Sequence, residues 1–438
     1  MAAVVAATAG PLLGAAPVQA LTNTEPFASS QWGLRQIGAE RAWDVSRGKG
    51  ARVGIIDTGV DFGHAELSGR IVASTRCIGT GGLASRCAGS AQDDGGHGTH
   101  VAGIVAAPLD RAGVAGVAPD SSLLVVKALD ADGAGEASDV AAGIDWLLGQ
   151  GVHVVNLSLA ETSSLRRAGG AALEAAIGRA SKAGAVVVMA AGNHTEATQT
   201  GGAFDLPAIV VGATDRNGRL APYSQPLDGR VRWGLVAPGG SGEGSVEGDV
   251  ISTYWFAGRR SSYAWSAGTS MATPHVAGVA ALLAARGVRG QAAVDQLLGT
   301  ATAKPCGTGC RGLVDAAAAL GGPARPQPAA APASTPGTQP ARAAAAAPPA
   351  VPAVPAARPA GVPGGPGPTS TVVVPGAAVD VRPRRVALAP VEGLPAADEP
   401  VRTNLVAWSI VAAGAALLTV TAATALLGWR RLRAGERW

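Results

Sequence analysis

The sequence predicts a three-layer α/β fold over roughly residues 31–320, in which helices cover both faces of a mainly parallel central sheet. Short runs rich in Val, Ile and Leu recur there, and Ala-rich stretches of helical length separate them. The predicted strands are Arg52–Ile56, Ser122–Lys127, Val152–Leu157, Ala185–Ala190 and Ala208–Gly212, and the clearest predicted helices are Ser138–Leu148 and Ala171–Ala183. Apolar strands that alternate with helices are typical of buried parallel sheets, which bind ligands at the carboxyl ends of their strands.

The composition limits the classes of function. With 438 residues, of which 47% are hydrophobic, the chain can bury a large core and still carry appendages. Its net charge of +4 comes from scattered arginines rather than basic runs, so we expect no nucleic-acid partner. No calcium loop of the EF-hand type is present, and we predict neither a metal ion nor a cofactor.

The four cysteines point to an oxidising compartment. Three pairings are possible, and we favour Cys77 with Cys87 and Cys306 with Cys310 because each pair closes a short loop. A zinc site is the alternative, but neither pair has CxxC spacing or a nearby His.

Residues 1–20 have the character of a signal peptide. They are almost free of charge, rich in Ala, Val and Leu, and end in Val18-Gln19-Ala20, a small-x-small pattern found at cleavage sites. No Lys or Arg precedes the apolar stretch, which a start codon placed too far downstream or an uncleaved segment would explain. An Ala-rich N-terminus without a targeting role is the alternative.

The C-terminal region predicts a membrane anchor at residues 404–429. Leu405–Gly428 contains 24 residues without a charge, which as a helix would be about 36 Å long and would span a bilayer. Trp408 and Trp429 lie near its ends, and arginines follow in the predicted cytoplasmic tail, residues 430–438. A buried core helix would explain neither feature. We therefore expect membrane lipid as a partner and an extracellular location for the preceding domain, residues 21–320.

A Pro- and Ala-rich linker, residues 321–403, would separate that domain from the anchor. Such a composition cannot bury enough apolar surface to offset chain ordering, and its prolines favour extended conformations. We predict a disordered, semi-rigid stalk. A Pro-rich tract that binds a partner is the alternative.

Three motifs carry candidate catalytic residues. Asp57 follows the apolar strand in VGIIDTGVD, His97 begins an Ala- and Gly-rich helix in GHGTHVAGIVA, and Ser270 begins another in SAGTSMATPHVAG. Asp-Thr-Gly also occurs in aspartic proteases, but those need a second copy, which is absent. His97 and His100 could bind a metal, but no HExxH carboxylate accompanies them. Ser270 could be an ordinary helix cap.

Together the motifs resemble those of the subtilase superfamily over roughly Trp32–Leu320, in the order Asp, His, Ser that subtilisin has. The resemblance implies a subtilisin-like fold and serine endopeptidase activity on a polypeptide substrate. Ser270 would be the nucleophile, His97 the general base and then acid, and Asp57 the residue that orients the imidazole.

The resemblance also assigns residues outside the triad. Asn193, in AAGN after a predicted strand, corresponds to the side-chain donor of the oxyanion hole. Asn156, Leu157, Ser158 and Leu159 resemble the strand that pairs with substrate through its backbone. Asp93 and Asp94, which precede His97, either shape the local field or are solvated loop charges.

Within the superfamily the chain is most similar to the mycosins, the membrane-anchored proteases of type VII secretion systems in actinobacteria. An export signal, a short entry at Gln31–Leu34 with little propeptide, a Pro-rich stalk and one C-terminal transmembrane helix carry this resemblance. It implies processing of secreted substrates on the outer face of the plasma membrane and a secretion-system membrane complex as partner. A structural component in which cleavage is dispensable and a broadly degradative surface protease are the alternatives.

Overall fold

A computed structural model describes residues 22–159, 170–193, 205–229 and 231–322, together with the backbone of a short strand at 371–373. The predicted signal peptide, transmembrane helix and cytoplasmic tail lie outside the described residues, as does the predicted linker apart from its first residues and that strand. Within these ranges, no helix has both the length and the apolar character needed to cross a bilayer.

Strands and helices alternate along much of the chain, but β6 to β10 follow one another with no α-helix between them among the described residues. The strands are β1 Arg52–Asp57, β2 Ile71–Arg76, β3 Ser122–Lys127, β4 Ala134–Glu136, β5 Val154–Leu157, β6 Val186–Ala190, β7 Ile209–Thr214, β8 Trp233–Pro238, β9 Val250–Phe256, β10 Arg259–Ser266, β11 Cys310–Leu313 and β12 Thr371–Val373. The helices are α1 Trp32–Gln36, α2 Ala39–Ala42, α3 His97–Ala106, α4 Ala137–Gly149, α5 Gly170–Lys182, α6 Thr269–Ala285, α7 Gly290–Gly299 and α8 Ala316–Ala319.

The central sheet has eight strands in the order β11-β8-β7-β6-β5-β1-β3-β2, and all neighbouring strands in it are parallel. The sheet extends in two directions from β1. On one side lie β3 and β2, and on the other side lie β5, β6, β7, β8 and β11. Such a reversal of strand order opens a crevice at the carboxyl ends of the strands. Asp57 is the last residue of β1 and therefore lies at this crevice.

Helices cover both faces of the sheet because successive strand residues point to opposite sides. Gly54 and Ile56 face α4, where a Cβ on Gly54 would collide with Leu147. Asp57 points to the other face, where its Cβ lies 3.0 Å from the position that a Cβ on Gly98 of α3 would take. The α3 helix packs against α6. The predicted α/β architecture with a parallel sheet is thus confirmed.

An antiparallel hairpin, β9–β10, packs on α3 and leads into α6. Ser252 Oγ donates to the carbonyl of His100 at 2.8 Å, and Thr253 Oγ1 donates to that of Thr99 at 2.7 Å. These bonds attach the hairpin to the helix that begins at His97. This hairpin was not among the predicted elements. A separate pair joins β12 antiparallel to β4.

Two disulfides join Cys77 to Cys87 and Cys306 to Cys310. This is the connectivity that the short loops favour, and it excludes the alternative zinc site.

Candidate active site

Asp57 and His97 form the centre of the site at the carboxyl end of β1. His97 Nδ1 lies 2.7 Å from Asp57 Oδ1, and the backbone N–H of Thr58 donates to the same oxygen at 2.7 Å. Asp57 is fully buried, whereas the His97 side chain is 19% exposed. A carboxylate can only accept hydrogen bonds, so Nδ1 carries the proton and the neutral ring presents its lone pair at Nε2.

The surroundings of His97 favour its protonated form. Burial of the ring alone lowers the pKa of His97, but the charge of Asp57, the hydrogen bond to Asp57 and the charge of Asp93 together raise it above the ordinary value. A stabilised imidazolium is what a general base needs after it accepts a proton.

Ser270 lies in the first turn of α6, fully buried, at a point where a proline alters the helical hydrogen bonds. Pro274 has no N–H to donate to the carbonyl of Ser270, four residues earlier. Ser158 Oγ donates to that carbonyl at 2.8 Å instead. Ser158 also accepts from Asn156 Nδ2 at 2.9 Å, so the turn that carries Ser270 is attached to the end of β5.

The Ser270 hydroxyl is oriented towards the same segment. Ser270 Oγ donates to the carbonyl of Ser158 at 3.1 Å, while His97 Nε2 has no hydrogen-bond partner among the described residues. The structure therefore joins Asp57 to His97 and does not join His97 to Ser270. Catalytic hydrogen bonds are often long in unliganded sites and tighten when substrate binds.

The hydrogen bond from Ser158 Oγ to the Ser270 carbonyl predicts that Ser158→Ala is less stable than the wild type. Removal of the hydroxyl leaves the buried Ser270 carbonyl without this donor and Asn156 Nδ2 without this acceptor, which we expect to lower the free energy of unfolding by about 2 kcal/mol. Denaturant unfolding in a Ser270→Ala background measures this without self-digestion.

Ser121→Ala is the matched control for that prediction. Ser121 is equally buried and its Oγ donates to the Ala118 carbonyl at 2.7 Å, but that carbonyl also accepts from the Ser121 backbone N–H at 3.0 Å. The control should cost less than about 1 kcal/mol, because the Ala118 carbonyl keeps the hydrogen bond from the Ser121 backbone N–H. Equal losses in the two variants would contradict the role given to Ser158.

Asn193 lies just beyond β6, with a fixed amide orientation. Its Oδ1 accepts from the backbone N–H and from Oγ1 of Thr269, both at 2.9 Å. The Nδ2 group is therefore the end of the amide that is directed away from Thr269, the residue before Ser270. Thr269 was not among the predicted site residues, although it directly precedes the candidate nucleophile.

Of Asn156 and Leu157, the two residues of the predicted substrate-pairing segment that lie in β5, Asn156 is paired on both sides and cannot also pair with substrate. Both residues belong to β5, an interior strand between β1 and β6, where Asn156 is in register with Ile55 and with Val188. A peptide cannot be added where both edges of a strand are already occupied. Leu157, which is in register with Met189 on one side only, and Ser158 and Leu159, beyond the end of the strand, stay candidates.

The other histidines near the site have structural roles. His100 donates from Nε2 to the carbonyls of Val250 and Ala264, and burial lowers its pKa to about 3. His275 donates from Nδ1 to the Met271 carbonyl, and burial lowers its pKa to about 4. Both therefore stay neutral and support the helices that begin at His97 and Thr269.

The site contains an acid, an imidazole and a serine at the carboxyl ends of the parallel strands, beside an oriented amide. These groups define the class of serine hydrolases with an Asp-His-Ser order. The sequence profile of the subtilase family matches residues 48–305, more than half of the chain. This chain belongs to the subtilase family and is a serine endopeptidase.

Individual relatives agree with this assignment. Thermitase from Thermoactinomyces vulgaris is 38% identical over 269 residues, which are 60% of this chain and 86% of thermitase. Subtilisin BL from Lederbergia lenta is 41% identical over 258 residues, 58% of this chain and 84% of that protein. A solved protease from Pseudoalteromonas arctica superposes with a TM-score of 0.59 at 32% identity, covering 68% of this chain and 99% of its own.

Proposed function

We propose that this endopeptidase cleaves peptide bonds through an acyl-enzyme on Ser270, with His97 as general base and Asp57 as its orienting partner. The observation that carries the proposal is the 2.7 Å hydrogen bond from His97 Nδ1 to Asp57 Oδ1. This bond leaves the lone pair of Nε2 as the proton acceptor and stabilises the imidazolium that results.

The proposed reaction has an acylation half and a deacylation half. The proton of Ser270 Oγ moves to His97 Nε2 as Oγ bonds to the carbonyl carbon of the substrate, and the π electrons of the C=O bond move onto its oxygen, which becomes the oxyanion and returns them when the leaving group departs. The imidazolium then gives this proton to the leaving amine, which departs as the C–N bond breaks. Water repeats the two steps on the acyl-enzyme, with His97 again as base and then acid, and returns Ser270 to its hydroxyl form.

Asn193 is the proposed side-chain donor to the oxyanion of the tetrahedral intermediate. Its Oδ1 is held by Thr269, so its Nδ2 can be directed at the charge that develops beside Ser270. The first-turn N–H groups of a helix point out of its end, which makes the backbone N–H of Ser270 the second donor. Such donors contribute about 3 kcal/mol each to transition-state stabilisation.

A fluorophosphonate probe tests the proposed nucleophile. The probe forms a covalent adduct with an activated serine hydroxyl, so peptide mapping of the labelled enzyme should place the adduct on Ser270. Ser270→Ala should remain unlabelled. An adduct on another residue, or equal labelling of the two proteins, would show that the assignment is wrong.

We further propose that the enzyme is a mycosin-type protease, exported by residues 1–20 and anchored on the outer face of the plasma membrane by residues 404–429. The uncharged run Leu405–Gly428 with its flanking tryptophans and arginines supports the anchor, and the Pro-rich linker supports a stalk. Its substrates would be polypeptides exported by a type VII secretion system, whose membrane complex would be its partner.

Comparative proteomics of culture supernatants tests this role. A deletion strain is complemented with the wild type or with Ser270→Ala. One or a few exported proteins should be shortened only in the wild type. Full export with unprocessed substrates in the variant strain would indicate that the protein acts there as a structural component. Rapid digestion of casein by the purified enzyme would instead indicate a broadly degradative protease.

A further inference from the structure

Asp93, four residues before His97, is a buried carboxylate with an unusually full set of hydrogen bonds. It is 1% exposed. Its Oδ1 accepts from Thr58 Oγ1 at 2.8 Å and from the backbone N–H groups of Gly95 and Gly96 at 3.0 and 2.9 Å. Its Oδ2 accepts from the N–H and the hydroxyl of Thr99. Asp93 is therefore not a solvated loop charge, and it organises the turn that presents His97.

Thr58 connects this turn to the strand that carries Asp57. It directly follows Asp57, and its hydroxyl donates to Asp93 at 2.8 Å while it accepts from the N–H of Gly98 at 3.0 Å. Asp93 lies four residues before His97 in the sequence, and Gly98 directly follows it. One hydroxyl group thus joins the end of β1 to the start of α3, independently of the bond between Asp57 and His97.

Lys127, the last residue of β3, forms a second connection. It is 5% exposed, and its Nζ donates to the carbonyls of Thr58 and Leu129 at 2.6 and 3.0 Å and to Asp94 Oδ1 at 2.6 Å. A buried ammonium group is costly unless it is paired and hydrogen-bonded, and these acceptors meet that need. Lys127 therefore fixes the Thr58 backbone from the neighbouring strand and restrains the loop before His97.

We propose that Thr58, Asp93 and Lys127 are positioning residues of the active site. They hold the end of β1 and the first turn of α3 in the arrangement that lets His97 bond to Asp57. Asp93 in addition supplies a second buried negative charge that stabilises the imidazolium formed during catalysis. The inference rests on the catalytic roles proposed for Asp57 and His97.

The charges around the His97 ring allow the contribution of Asp93 to be isolated. Within the described part of the chain, the titratable groups whose charges act on the ring are Asp57 from β1, Asp93 from the preceding loop and His100 from the next turn of α3. His100 is neutral because burial lowers its pKa to about 3. Lys127 and Asp94 form an ion pair, so their opposite charges largely cancel at the His97 ring. Loss of the Asp93 charge therefore removes one of the two negative charges that raise the pKa of His97.

Thr58→Val and Thr58→Ser test the positioning role. Valine keeps the shape of the side chain without its hydroxyl, and we expect kcat to fall about 10-fold with little change in KM, because the reacting groups and not the substrate are displaced. Serine restores the hydroxyl, and its kcat should lie within about 2-fold of the wild type on the same grounds. The acidic limb of the kcat/KM profile should move less in either variant than in Asp93→Asn, since no charge is removed.

Asp93→Asn tests the electrostatic role. His97 acts as a base only when neutral, so activity is lost as the pH falls through its pKa. Removal of the anion makes the imidazolium less stable and lowers that pKa, which should move the acidic limb to lower pH by about half a unit. We also expect kcat to fall about 10-fold, because asparagine cannot accept all five hydrogen bonds.

Asp139→Asn is the matched control. Asp139 is 2% exposed and accepts from the N–H groups of Gly79 and Thr80 and from the Thr80 hydroxyl, but it does not face His97. Thermal unfolding should show a loss of stability in both Asp variants, whereas only Asp93→Asn should shift the acidic limb. Folded Asp93→Asn with a wild-type acidic limb, or Thr58→Val with wild-type kcat, would overturn the proposal. Failure of Ser270→Ala to abolish labelling would instead overturn the proposed nucleophile.

Discussion

Ser270→Ala should lower kcat for peptide hydrolysis by about 10⁶-fold, the loss found when the nucleophile of subtilisin is removed. The methyl side chain has no oxygen to bond to the substrate carbonyl, while Asp57, His97 and Asn193 remain in place. The residual rate should still exceed that in water, since oxyanion stabilisation and substrate binding survive. Initial rates on a fluorogenic peptide measure the loss.

The corresponding double variant provides a sharper criterion. Groups that act as one unit are not additive, so Ser270→Ala combined with His97→Ala should be about as slow as Ser270→Ala alone. A further fall of several orders of magnitude in the double variant would mean that His97 acts on something other than the Ser270 proton.

Asp57→Asn should lower kcat by about 10⁴-fold with little effect on the fold. The charge that stabilises the imidazolium is lost, and the amide N–H of asparagine can donate to His97 Nδ1. The ring then carries its proton on Nε2 and cannot accept one from Ser270. Because Asp57 raises the pKa of His97, the acidic limb of the residual activity should also move to lower pH.

Asp61→Asn is the control for this substitution. Asp61 lies in the same loop, is 7% exposed and accepts hydrogen bonds from the Gly63 N–H and from Gln92 Nε2. It does not contact His97, so its kcat should stay within a few-fold of the wild type. A comparable loss in both variants would mean that loop disturbance, and not the charge beside the imidazole, is responsible.

The parallel sheet could be predicted because its strands β3, β5 and β6 are short, apolar and separated by the Ala-rich helices α4 and α5. The predicted strand Ser122–Lys127 has the bounds of β3, and the predicted helix Ser138–Leu148 lies within α4. The edge strand β2 was missed because its apolar run is only three residues long, Ile71–Ala73, and every second residue of the strand is exposed. The β9–β10 hairpin was missed although its Tyr- and Trp-rich strands flank a turn at Gly258, a pattern that indicates a hairpin.

The candidate catalytic residues could be named from motifs, but their supports could not. Whether Asp93 is solvated or buried depends on Thr58 and Thr99, which only the fold brings to it. The role of Lys127 could have been predicted from the sequence, since a single charged residue at the end of an apolar strand indicates a buried charge that needs hydrogen-bond acceptors. Ser158 was expected to bind substrate, and its hydrogen bond to the Ser270 carbonyl follows only from the position of Pro274 in three dimensions.

The order of the sheet has a consequence for when proteolysis can begin. Asp57 lies on an early strand at the centre of the sheet, while Ser270 lies on a helix near the end of the folded body. Contacts between such distant parts of a chain form late, after the intervening loops have closed. We therefore expect peptide hydrolysis to begin only when the tertiary structure that brings Asp57 and Ser270 together is complete.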